Sequence, residues 1–122
     1  DIFGGEMWRP LMWVGEVGRV VDIILKSKEE LIKNQIFNLG NTNANRKKKE
    51  IAEIIKKDFL PGIKLNYSGK DQDLRSYRVD FSKIEQKLNF KLEKSLEDAI
   101  EELIFSLKNK IYLDPNNSIY KN

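Results

Sequence analysis

The chain has neither cysteine nor histidine. This removes disulfides, thiolate nucleophiles, thiolate or imidazole zinc sites and every catalytic triad built on histidine. No apolar run approaches the roughly 20 residues that a bilayer-spanning helix needs, and the N-terminus has no basic region followed by an apolar one. No membrane partner is expected, and the expected location is cytoplasmic. An excess of one charge is missing too: 22 Lys and Arg stand against 19 Asp and Glu, a formal net charge of +3 spread along the chain. Basicity this slight gives no reason to expect a nucleic-acid partner. Prolines number only three, so each is informative about where elements start and stop.

What is present suits a folded soluble protein. At 122 residues, with 40% hydrophobic and 34% charged residues, the chain fits one domain with a modest core and is too apolar to be disordered. Pro10 pushes Arg9 toward an extended conformation, which places a short strand over 11–14 beginning at the arginine. Val17, Val20, Val21 and Ile24 recur at helical spacing and predict a helix over 16–26, with Glu16 at its positive end. The run 36–40, closed by Gly40, reads as a buried strand followed by a polar turn. Ile51, Ile54 and Ile55 stripe a helix over 46–57, ended by Pro61-Gly62. Residues 63–67 alternate as a strand would, and 77–79 read as briefly extended. Ile84 and Leu88 mark a short helix. Ser95-Leu96-Glu97-Asp98 forms a capping box with Asp in place of Glu, opening a helix over 96–109. Residues 112–122 read as a polar tail. The fold class expected is mixed α/β (α+β), with three or four short strands and about four helices.

Two arginine motifs carry the chemistry: Trp8-Arg9-Pro10-Leu11-Met12-Trp13-Val14 and Asp73-Leu74-Arg75-Ser76-Tyr77. A guanidinium presents a planar fork of donors that matches phosphate oxygens, so two forks brought together can hold a diphosphate without a glycine-rich loop. The plainer reading is two surface arginines in ordinary ion pairs, such as Arg75 with Asp71 or Asp73. Trp8, Met12 and Trp13 crowd one short strand, either as core or as a self-associating surface. Arg46-Lys47-Lys48-Lys49 would put four cations in a first helical turn, where the macrodipole disfavours them.

Arg9 to Val17, Phe37-Asn38-Leu39-Gly40, Asp73 to Tyr77, Lys83-Ile84, Leu88-Asn89-Phe90 and Ser95 to Asp98 occur in an order that resembles the C-terminal part of extended short-chain dehydrogenases/reductases. The specific likeness is to NAD-dependent sugar-nucleotide epimerases and dehydratases, and it covers almost the whole chain. The resemblance implies a substrate-binding lobe in which Arg9 and Arg75 contact the diphosphate of a nucleotide sugar such as a UDP- or dTDP-sugar. It gives Asp73 an orienting or ribose-facing role. NAD is implied for the full-length family, whose glycine-rich loop and Tyr-x-x-x-Lys pair lie upstream. Neither occurs here: the fourth residues after Tyr67, Tyr77 and Tyr112 are Asp71, Phe81 and Asn116. The expectation is therefore a fragment, natural or engineered, with no cofactor of its own and no catalysis alone. A structural or self-associating domain without ligand is the alternative. Trp13 and Glu16 stand where the family often has His and Asp, and Gly15 and Gly18 where its helix holds larger residues.

Overall fold

The computed structural model describes residues 1–68, 75–112 and 114–120, apart from the side chain of residue 120. Within them the protein is a mixed α/β structure, with several helices and two small two-stranded sheets. Strand β1 (Ile2–Phe3) is followed by β2 (Trp8–Pro10), helix α1 (Gly15–Lys26) and the single turn α2 (Glu29–Ile32). After an irregular stretch and a 3₁₀ turn (Thr42–Ala44) come β3 (Asn45–Lys47) and α3 (Lys48–Ile54), which runs on into a π-helical turn (Ile55–Phe59). The short strand β4 (Tyr67–Ser68) precedes α4 (Ser82–Leu88) and α5 (Leu96–Lys108).

Strand β1 pairs parallel with β4, Ile2 opposite Tyr67, and β2 pairs antiparallel with β3, Trp8 opposite Lys47 and Arg9 opposite Arg46. The strand expected over 11–14 is displaced to Trp8–Pro10. Beyond Pro10 one further backbone bond forms, Leu11 N–H to the Ala44 carbonyl at 3.3 Å, but Ala44 is already bent into the 3₁₀ turn and no strand continues over 11–14. The same pairing draws Arg46 and Lys47 out of the helix expected over 46–57. Of the strand expected over 63–67, only Tyr67 falls within β4, and the Asn66 carbonyl accepts the Ile2 N–H at 2.7 Å just before it. Residues 36–40 are not a strand. Their apolar side chains are used instead, since Phe37 and Leu39 pack on the core.

That core is Val20, Phe81, Ile84 and Phe90, with Ile23, Ile24, Val79, Leu88 and Leu92 packed around it. Gly40 is required where it stands: its φ is +147°, and a Cβ there would fall 2.7 Å from the Phe81 ring. Helix α4 ends on Asn89 in the left-handed region at φ 50°, which turns the chain so that Phe90 enters the core. Helix α5 starts as its sequence requires. Ser95 Oγ accepts the Asp98 N–H at 3.1 Å, and the Asp98 carboxylate accepts the Ser95 N–H at 2.9 Å.

Helix α1 carries one mismatch between residue and role. Gly18 is exposed in its interior, and no atom lies within 4 Å of where its Cβ would be. Gly18→Ala is therefore expected to raise stability by about 1 kcal/mol through backbone entropy alone. A urea midpoint that fails to rise would show that α1 is not held as described. Among the described residues no helix is long and apolar enough to cross a membrane.

Candidate functional site

The site is built where β2, β3 and the extended segment 75–80 run side by side. That segment has no ladder of its own, and side chains hold it in place. The Trp8 N–H donates to Ser76 Oγ at 3.1 Å. The buried amide of Asn45 does more. Its Oδ1 accepts the Val79 N–H at 2.9 Å, and its Nδ2 donates to the carbonyls of Val79 at 3.0 Å and Thr42 at 2.8 Å. One side chain thus imitates a strand neighbour for both backbone groups of Val79.

With the segment held there, Arg9 and Arg75 meet across a gap of 66 residues: Arg9 Nη1 donates to the Arg75 carbonyl at 2.5 Å. The Arg9 guanidinium also lies over the Tyr77 ring, 5.6 Å from its centroid. Arg9 is half-buried and Arg75 exposed. Asp73, named with them from the sequence, lies outside the described residues, as does Asp71. The contact is to the Arg75 backbone, and further cations gather on Trp8, the residue before Arg9. Arg78 lies over the Trp8 ring at 5.0 Å, and Lys47 approaches the same ring at 5.7 Å. Arg46 donates to the carbonyls of Asn43 and, at 3.2 Å, Asn45. Arg78 was missed because it sits one residue beyond the motif. Strand alternation from Trp8 through Tyr77 and Arg78 is the signal that would have found it.

The basic run 46–49 proves to be anchoring. Arg46 and Lys47 belong to β3, while Lys47 and Lys49 both bind Glu6 on the β1–β2 turn, Lys47 at 2.8 Å. Those two lysines hold the Glu6 carboxyl down to about 2 through their hydrogen bonds. Glu50 accepts the Lys47 N–H at 2.9 Å and so caps α3. The expected conflict with the helix dipole is avoided because two of the four cations precede the helix and a glutamate stands in its first turn.

Glu16 is fully buried at the start of α1. Its Oε1 accepts the N–H groups of Glu93 at 2.9 Å and Lys94 at 3.0 Å, while Oε2 pairs with Arg19. Burial is the largest single influence and pushes this carboxyl up. The Lys94 N–H, the Arg19 guanidinium and the Glu93 N–H together outweigh it, so the net shift is downward. Trp13 lies across Gly15, where a Cβ would fall 2.1 Å from the indole, and it donates to Glu102 at 3.3 Å beneath the Lys94 ammonium. Trp8, Met12 and Trp13 are all half-buried, whereas Val14 and, on α1, Val17, Val21 and Leu25 are exposed. No group of three or more acidic residues suited to a metal occurs among the described residues. No family model matches the chain, and no solved structure matches it.

Proposed function

We propose that the chain is the diphosphate-binding part of a nucleotide-sugar site, of the kind its motifs resemble in NAD-dependent epimerases and dehydratases. One observation carries this: residues 66 positions apart, each in an arginine motif, are in direct contact at Arg9 and the Arg75 carbonyl. A diphosphate has oxygens enough for both forks. The ring of Tyr77 beneath Arg9 limits where that guanidinium can point, which lowers the entropy lost on binding. The Tyr-x-x-x-Lys pair that this family uses for catalysis does not occur in the sequence. The role proposed is therefore recognition, with hydride chemistry left to residues elsewhere in a complete enzyme.

Titration with UDP, followed by amide chemical shifts, tests the proposal. Shifts should concentrate at β2, β3 and 75–79. Each charge-assisted contact contributes about 1.5–3 kcal/mol, so Arg9→Ala should weaken binding about ten- to a hundredfold. Arg9→Lys should recover little, because an ammonium keeps the charge and loses the fork. Unmoved spectra at millimolar UDP would sink the reading.

A further inference from the structure

A second group of cations gathers over the indole of Trp8. Successive side chains of a strand leave on opposite faces, so Trp8 and Arg9 diverge from β2. The neighbouring segment follows the same alternation, with Tyr77 meeting Arg9 and Arg78 meeting Trp8. Lys47, directly opposite Trp8 in the register, reaches the same indole. Arg78 is exposed, and among the described residues its guanidinium has the Trp8 ring as its sole partner. A guanidinium held over a ring keeps its N–H fork available at the edge, already restricted in orientation.

That fork borders a cleft of about 460 Å³ lined by Trp8, Asn43, Arg46, Arg78 and Asp80, among others. Arg46 is fixed at the cleft by its bonds to the Asn43 and Asn45 carbonyls. Asp80 itself lines the cleft, and its carboxylate is engaged: it accepts the Ser82 N–H at 2.8 Å and the Ser82 hydroxyl at 3.0 Å. One guanidinium fork serves the two oxygens of a carboxylate. Two guanidiniums on one cleft suit the three terminal oxygens of a phosphomonoester better.

We propose that the cleft between Arg78, Trp8 and Arg46 is a second oxyanion site, which takes a phosphomonoester. It does not rest on the diphosphate reading, because its chief donor stands over Trp8 and not beside Arg9. The ring under Arg78 supplies the rigidity, and the cleft supplies room for the ester's substituent.

The test uses the whole chain with inorganic phosphate as the probe, at constant ionic strength. The readouts are the Trp8 indole N–H and the Arg78 side-chain N–H resonances. Both should move saturably, and Arg78→Ala should weaken the Trp8 response about tenfold or more, as expected for loss of one charge-assisted fork. Arg78→Lys should restore only part of it, and Lys108→Ala, on α5 outside the cleft, should leave it unchanged. Acetate should bind more weakly than phosphate. A response that survives in Arg78→Ala, fails to saturate, or is as tight for acetate would overturn the proposal.

Discussion

Glu16→Ala is expected to cost about 3 kcal/mol, a large share of the roughly 5–15 kcal/mol that holds a domain of this size together. The carboxylate is fully buried and joins the start of α1 to the loop that leads into α5. Removing it strands the N–H groups of Glu93 and Lys94 and takes one partner from Arg19. Arg19 keeps Glu93 at 2.6 Å and the Lys91 carbonyl at 3.1 Å, which limits the loss to less than that of a fully isolated buried charge. Urea unfolding at neutral pH measures it, and a change below about 1 kcal/mol would mean that water replaces the carboxylate at no cost.

The same group sets an acid dependence. Its carboxyl titrates below the ordinary 4.5 in the folded protein, so its contribution is fully present above that value and is lost as pH falls through the folded value. Glu16→Gln keeps an acceptor for Glu93 and Lys94 but turns an amide N–H₂ toward Arg19, much as the protonated acid would present a donor. The stability gap between parent and Glu16→Gln should therefore narrow on acidification. A gap that stays constant from neutral pH to pH 3 would exclude the buried carboxylate as its source.

Asn45→Ala is expected to cost about 2–4 kcal/mol and to weaken ligand binding as well. Two backbone groups, the N–H and C=O of Val79, depend on this one amide, whereas the Thr42 carbonyl keeps the Asn45 backbone N–H, and a buried group left unpaired costs about 1–3 kcal/mol. Asn45→Asp should be no better at neutral pH, because its carboxylate would face two carbonyl oxygens where the amide donates. The segment it holds carries Arg75, Tyr77 and Arg78, so both variants should lose the UDP and phosphate responses even at temperatures where they remain folded. A stable Asn45→Ala chain that binds as the parent does would show that the remaining contacts, Trp8 to Ser76 and Arg9 to the Arg75 carbonyl among them, suffice to hold the segment.

Several elements were legible because their signals are local. The capping box at Ser95 and Asp98, the stripe of α1 and the short helix around Ile84 depend on residues within a turn or two of one another, and all three form where expected. The strands were less legible. A strand exists only where a partner backbone lies, and Lys47, with neither β-branching nor alternation to mark it, is paired because Trp8 is there. Residues 36–40 show the converse. They have strand-like composition but pair with no strand among the described residues, and Phe37 and Leu39 pack on the core instead.

The candidate site divides the same way. By itself the sequence determined that no thiol or imidazole chemistry is possible and that the fold is mixed, and it singled out Arg9 and Arg75 as candidate phosphate contacts. Tertiary structure decided that Arg9 touches Arg75, that Arg78 joins Trp8, that the lysines of 46–49 tether Glu6, and that Glu16 is a buried joint. The physical reason is range. Helix caps and stripes are written within a few residues, whereas a contact across 66 residues forms only once packing around Phe81, Ile84 and Phe90 has offset the entropy of closing the loop.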